Sequence, residues 1–218
     1  MPGYQVKHET IAVAETAFVI RSLLDNQQFA DPGGLAAQAG ISESNWPLFG
    51  LVWPAARILA ETLHGESVDG GRTLEIGCGL ALASLVIHRR GGDITASDRH
   101  PLAPGFLERN LALNDLPAMR YETGHWARDN PQLGRFDRII GSDVLYERSQ
   151  PQILAEFIGR HAMPAIEVLL VDPDRGNQGA FCKAMVARGF HCSVARSATH
   201  LSSGERFKGN TLRLRRGA

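Results

Sequence analysis

Two glycines separate a short apolar run from a helix-length one in Glu75-Ile76-Gly77-Cys78-Gly79-Leu80-Ala81-Leu82. At such a junction a glycine pair lets a nucleotide-like ligand reach the backbone at a helix N-terminus. A dinucleotide site would carry a third small residue three positions on, where helix and diphosphate lie close together, and Leu82 stands there instead. Glu75 speaks against a diphosphate as well, since a carboxylate beside the loop would repel it and would suit a cation. Asp98 follows Gly79 by 19 residues, a position from which a carboxylate can accept both hydroxyls of a ribose. Taken singly, these residues also fit a tight turn with a solvated Glu75 and a helix cap ahead of Pro101. Taken together, they describe a site for an adenosine with a positive, non-phosphate tail.

The pattern around these residues supplies the elements that must position them. Short apolar runs at Thr73–Ile76, Asp93–Ser97, Arg135–Ile140 and Glu167–Val171 are expected strands. Between and after them, Leu80–Arg90, Pro101–Asn114, Gln150–Arg160 and Gln178–Arg188 are expected helices. Two further strands, His191–Arg196 and Thr211–Arg216, close the chain, the latter with Leu212 and Leu214 facing inward. The basic residues around it, Arg206, Lys208, Arg213, Arg215 and Arg216, are expected on a solvated edge strand. Alternating strand and helix gives an α/β fold, a doubly wound and mostly parallel sheet with helices on both faces. Ligands of such sheets bind beyond the carboxyl ends of the strands. Upstream, Val52–Leu63 is an expected helix with Pro54 in its first turn, closed by a breaker at His64–Gly71. Residues 1–45 form an N-terminal cover, with an amphipathic helix expected over Thr10–Leu24 and then a loop rich in Asp, Gly, Ser and Pro. Residues 46–218 form one compact unit.

Composition excludes several classes. With 218 residues, 44% hydrophobic and 21% charged, the chain can build a substantial core. Lys plus Arg and Asp plus Glu both number 23, so there is no overall basic excess to seek a nucleic-acid backbone. The three cysteines, Cys78, Cys182 and Cys192, lack metal-type spacing, and their odd number fits a reducing cytoplasm better than a disulfide framework. The eight histidines show no paired metal spacing and are expected mostly as surface or capping residues. The N-terminus lacks a charged-then-apolar leader pattern, and runs such as Val168–Val171 are far too short to cross a bilayer.

Leu74-Glu75-Ile76-Gly77-Cys78-Gly79 with Asp98 resembles the first two motifs of the class I S-adenosylmethionine-dependent methyltransferases. The likeness extends to both sides. Phe49-Gly50-Leu51-Val52-Trp53-Pro54-Ala55-Ala56 is similar to the segment leading into the domain of the seven-strand protein-lysine methyltransferases grouped with nicotinamide N-methyltransferase-like proteins. Phe136–Glu147, with Asp143-Val144-Leu145-Tyr146, resembles that group's Asp-x-x-Tyr motif, and Asp172-Pro173-Asp174-Arg175 resembles a strand-end Asp-Pro-x-Arg of one branch. The match runs roughly from Trp46 onward. One departure is His125-Trp126, where many members carry an acidic residue before the tryptophan.

The resemblance implies a seven-stranded, Rossmann-like sheet with its last strand antiparallel. It implies S-adenosylmethionine as cofactor and S-adenosylhomocysteine as product. Glu75, Gly77, Cys78 and Gly79 would lie against the amino-acid tail, Asp98 and Arg99 near the ribose, and Ser142 at the same cleft. Trp53 and Trp126 would pack the methionine arm and adenine, or else ordinary core, and His125 would hydrogen-bond an adenine edge. Asp143 and Tyr146 would be the catalytic pair that draws in and orients the acceptor. Arg175 would contact substrate or pair with Asp172 or Asp174. The implied acceptor is a protein side chain, lysine above all, with a small amine as alternative and a non-catalytic cofactor-binding module as a further one. A base amine of nucleic acid is disfavoured, because Val144-Leu145 replaces the Pro-Pro that such enzymes carry at this strand end.

Overall fold

A computed structural model describes residues 3–68, 71–197, 200–201 and 204–217. Asp69 and Gly70 of the expected breaker, and Met1 and Pro2 of the cover, lie outside these residues. The expected alternation is present. A seven-stranded sheet contains β3 (Thr73–Ile76), β4 (Ile94–Asp98), β5 (Arg120–Thr123), β6 (Phe136–Ser142), β7 (Ala162–Asp172), β8 (His191–Arg196) and β9 (Asn210–Arg216), in the order β5-β4-β3-β6-β7-β9-β8. The first five are mutually parallel, and β9 runs antiparallel to both of its neighbours. Starting from β3 the chain winds outward to β5, then returns to lay β6 on the other side of β3. That reversal leaves a crevice at the carboxyl ends of β3 and β6.

Side chains alternate across the sheet, and the helices divide accordingly. Ile140 and Leu169 bury against α2 (Pro54–His64) and α3 (Leu82–Arg89), in one cluster with Ile58, Leu59 and Ile87. Their neighbours Ile139, Val168 and Leu170 turn to the opposite face, in a cluster with Leu154 and Phe157 of α5 (Gln150–His161) and Phe181 of α6 (Gln178–Val186). Strands buried on both faces read as continuous apolar runs, which is why these were legible. β5 was not: its residues are exposed or half-buried, so it carries no apolar run.

The N-terminal cover differs from expectation. Thr10–Leu24 is not a helix but most of a β-hairpin, β1 (Val6–Val13) paired antiparallel with β2 (Thr16–Leu23). Ile11 and Val13 on one strand, and Phe18 and Ile20 on the other, are buried at two-residue steps, the period of a half-buried strand. The β-branched residues Thr10, Ile11, Val13, Thr16, Val19 and Ile20 favour that geometry over a helix. The hairpin packs on α4 (Ala103–Leu113), in one cluster with Leu82 and Phe106. Its free edge is finished by side chains. Asn114 accepts from the Val19 N–H at 2.9 Å and donates to the Val19 carbonyl at 2.8 Å. Asn110, one helical turn earlier, accepts from the Arg21 N–H at 2.8 Å. The two amides thus stand in for a third strand, at a spacing that puts both on one helix face.

Two expectations about the chain's end are also corrected. β9 is not an edge strand but lies between β7 and β8, since the chain passes beyond β8 and returns to fill the gap. Its basic side chains are engaged: Arg213 reaches Glu167 at 2.9 Å and also Glu66, and Arg215 reaches Glu167 at 2.8 Å. Leu212 and Leu214 are buried, as the alternation required. Nor are all three cysteines separate: α6 packs beside β8, which brings the Cα atoms of Cys182 and Cys192 to 6.0 Å, and the two are joined. Among the described residues no helix is long and apolar enough to cross a membrane.

Replacing Asn114 by Ala would leave the Val19 N–H and carbonyl without partners at a partly buried edge. The expected cost is about 1–3 kcal/mol, read by urea denaturation, with amide exchange accelerated along β2 rather than across the main sheet.

Candidate functional site

Segments following five successive strands line one cavity of about 570 Å³. Gly77, Cys78 and Gly79 come from the end of β3, Asp98 and Arg99 from β4, and His125 and Trp126 from β5. Ser142, Asp143 and Tyr146 come from β6 and Arg175 from the loop after β7, with Trp53 at the start of α2. Every residue that the resemblance placed against cofactor or acceptor lies on this wall except Glu75.

The glycine turn is built for close approach. Gly79 has φ 52°, and a Cβ there would lie 2.7 Å from the Phe49 carbonyl oxygen. Gly77 has φ 56°, and its Cβ would meet a Val144 methyl at 3.0 Å and the Trp126 ring at 3.4 Å. Both positions need the left-handed backbone and the missing side chain that glycine supplies. Ala81, ahead of α3, also has positive φ and offers no side-chain cap. Glu75 makes good that lack from inside the sheet. Its carboxyl accepts the Ser84 N–H at 2.8 Å and, through a very short contact, the Ser84 hydroxyl. Glu75 therefore holds the first turn of α3 through one carboxylate oxygen, directly behind the turn against which the motif implied a ligand's tail. Burial, only partly offset by the bonds from Ser84, pushes its pKa from 4.5 up to about 7.

Asp98 ties two turns together. One carboxylate oxygen accepts the Gly79 N–H and the other the His100 N–H, each at 2.9 Å. Each oxygen keeps a further lone pair for a hydroxyl at the cavity. Burial raises its pKa, and the same backbone bonds work against that rise. His100 departs from the surface or capping places expected of most histidines: it is 2% exposed and stacked on Phe49, with ring centroids 3.7 Å apart. Burial drives its pKa down to about 3, so the ring is neutral. Because Nδ1 accepts the Leu102 N–H, the proton sits on Nε2, which has no partner among the described residues. His100's place two residues after Asp98, at a strand end, was the available signal.

The rest of the wall is aromatic and charged. The Trp53 indole N–H is spent on the Leu48 carbonyl at 2.8 Å, which fixes the ring against the cavity. The His125 backbone N–H is bonded by Asn130, and burial lowers the pKa of its imidazole. Tyr146 is half-buried with its pKa raised by burial, so its hydroxyl stays protonated. Asp143 is bound by Arg175 rather than open: Nε donates to Oδ1 at 2.7 Å and Nη2 to Oδ2 at 2.6 Å. Arg175 thus lines the cavity, where contact with a substrate was one of the two expectations, and its ion pair is with Asp143 rather than with the side chain of Asp172 or Asp174. At the rim, Asn45 donates to Glu147 at 3.3 Å, and Ile41 and Ser44 join the wall. The covering segment is therefore 41–53, and the hairpin stands apart from the cavity.

A sheet of this order, with one antiparallel strand and a glycine turn at the point of reversal, defines the class I methyltransferase fold. The same architecture is seen in the T. Thermophilus 16S rRNA N2 G1207 methyltransferase solved with AdoMet and guanosine, at TM-score 0.64 and 15% identity over 98% of this chain and 51% of that one. The sequence model of the lysine methyltransferase family matches residues 42–185, and the chain belongs to that family. It is 28% identical over 153 residues to the EEF1A lysine methyltransferase 3 of Mus musculus, covering 66% of this chain and 65% of that protein. It is 32% identical over 134 residues to the histone-arginine methyltransferase METTL23 of Rattus norvegicus, covering 55% and 59%. The chain thus spans about three fifths of the length of these curated relatives.

The position of Glu75 makes a pH-dependent contribution to stability. A carboxyl whose folded-state pKa is raised stabilises fully below about pH 4.5, and that contribution is lost as pH rises towards 7. Urea denaturation should show wild type losing up to about 3 kcal/mol across this window relative to Glu75→Gln, at about 1.4 kcal/mol per pKa unit. Parallel curves for the two proteins would contradict the assignment.

Proposed function

We propose that this chain transfers a methyl group from S-adenosylmethionine to a protein side chain, with lysine as acceptor. The observation that carries this is the glycine turn, Asp98 and the Asp143–Tyr146 loop on one wall of one cavity. Membership of the lysine methyltransferase family supports the acceptor class. S-adenosylmethionine, when bound, supplies an electrophilic methyl on a sulfonium. The chain's task is to orient two partners and exclude water.

Asp98 accepts the ribose hydroxyls on its free lone pairs, and His100, stacked on Phe49, steadies the turn behind it. The positive-φ turn from Gly77 to Ala81 lets the amino-acid tail lie on the backbone near the N-terminus of α3. Trp126 and Trp53 bound the adenine and methionine arm with apolar faces, and their π-clouds favour a nearby cation. His125, Arg99 and Ser142 complete the wall. Asp143 and Tyr146 face the acceptor nitrogen: one as a hydrogen-bond acceptor, the other as an aromatic wall with a neutral hydroxyl. No strong base is required, because the amine proton can leave to water at the rim. A cytoplasmic location belongs to the same proposal.

Calorimetric titration with S-adenosylhomocysteine tests the cofactor assignment. Wild type should bind in the micromolar range, and Asp98→Ala should weaken binding ten-fold or more, about 1.4 kcal/mol. Absence of binding by the folded wild type would overturn it. Labelled-methyl transfer into lysate, followed by protein hydrolysis, tests the acceptor. Label recovered as methyl-lysine is expected, whereas label in methyl-arginine or in the small-molecule fraction would reassign it.

A further inference from the structure

Asp143, the carboxylate placed to face an acceptor, is not free to hold a cation. Both of its oxygens are engaged by the Arg175 guanidinium in a two-pronged bond of 2.7 and 2.6 Å, the strongest geometry open to this pair of groups. Both partners are held from behind. Asp143 has φ 51°, and its N–H donates to the Val171 carbonyl at 2.8 Å. The loop carrying Arg175 is pinned by Asp172, whose Oδ2 accepts the N–H of Asp174 at 3.0 Å and of Arg175 at 3.3 Å. Its far end is fastened by Asn177, which donates to the Leu145 carbonyl at 2.8 Å, in the same loop as Asp143 and Tyr146. The pair is therefore fixed by the fold rather than being a chance surface contact.

Charge then decides what the acceptor end can take. A lysine ammonium has no lone pair and cannot attack a methyl group. A lone Asp143 carboxylate would stabilise that ammonium and hold the amine in its unreactive form. Arg175 cancels the charge while leaving each Asp143 oxygen a lone pair for one N–H. The other charged groups near Asp143 are Asp172 behind it, and Asp98, Arg99 and Glu147 on the cavity wall. Tyr146 beside it is uncharged, and His100 and His125 are held neutral by burial. Two backbone N–H groups donate to each of Asp98 and Asp172, and Arg99 and Glu147 bring opposite charges to the same wall.

We propose that Arg175 is a positioning residue that neutralises Asp143, so that the acceptor end receives an amine without its proton. This rests on the methyltransferase assignment above. On binding, the ammonium gives its proton to solvent. The neutral nitrogen then forms the N–C bond as the C–S bond breaks, and the positive charge passes from sulfur to nitrogen. The methylated amine exchanges its proton with solvent on leaving.

The test needs no identified protein substrate. Two analogues of S-adenosylhomocysteine carry carbon in place of sulfur, one bearing an aminoethyl arm into the acceptor end and the other a propyl arm. Titration in buffers of different ionisation enthalpy counts protons released on binding. Near pH 8 wild type should release about one proton more with the aminoethyl analogue than with the propyl one, since the free amine has a pKa of about 10. Arg175→Gln should release none and bind the aminoethyl analogue about ten-fold more tightly than wild type, with the propyl analogue unchanged. Arg175→Lys, which keeps the charge, should behave as wild type. Absence of the extra proton in wild type overturns the proposal, whatever the variants do. Equal release by wild type and Arg175→Gln, or tighter binding of both analogues by the variant, also overturns it and makes Arg175 a plain structural contact or plug. If wild type binds neither analogue nor S-adenosylhomocysteine, the methyltransferase assignment itself fails, and the proposal with it.

Discussion

A carboxyl group buried beneath the glycine turn sets the geometry on which the rest of the site depends. Glu75 sits in the central strand, and its bonds to the N–H and hydroxyl of Ser84 supply α3 with the cap its own N-terminus lacks. Helix N-termini leave donors without partners; here one is satisfied from inside the sheet. This anchors both sides of the Gly77–Ala81 turn, which can then expose its backbone to the cavity in a conformation open only to small residues. A neutral Glu75 would relieve the cost of burying a charge there, and this accounts for the direction of its pKa shift.

From that turn the order spreads sideways through backbone contacts. Asp98 grips the Gly79 N–H and, through the His100 N–H, fixes the start of the next segment. His100 in turn stacks on Phe49, whose carbonyl lies against Gly79. The end proposed for the nucleoside is thus a closed circuit of β3, β4 and the 3₁₀ turn Trp46–Gly50, each holding the others. Such preorganisation means that ligand binding pays little to order its own walls.

The end proposed for the acceptor is organised differently, by charge rather than by backbone. Asp143 and Arg175 come from the loops after adjacent strands β6 and β7, and both loops are pinned from behind. Electrostatic pairing also secures the far side of the sheet, where Glu66 and Glu167 gather Arg138, Arg213 and Arg215. Those basic residues look like a solvated edge only when β9 is taken to lie there.

Sequence alone determined the alternation of strand and helix through most of the sheet, and the strand ends at which the cavity lies. In a parallel sheet, buried strands are continuous apolar runs, and their ends are functional positions by topology. Gly77, Gly79 and Asp98 could therefore be picked out from local spacing, and Asp143, Tyr146 and Arg175 from the likeness of their segments to methyltransferase motifs. What it could not determine was which side chain meets which across the turns. Glu75 reaches Ser84, His100 stacks on a phenylalanine 51 positions earlier, and Arg175 takes Asp143 from 32 residues away. The hairpin was misread because Thr10–Leu24 has apolar residues at spacings that suit either period. Only the edge offered by Asn110 and Asn114 of α4 decides for strands. Local spacing encodes backbone conformation and facing; pairing between loops is set by how the whole sheet brings their ends together.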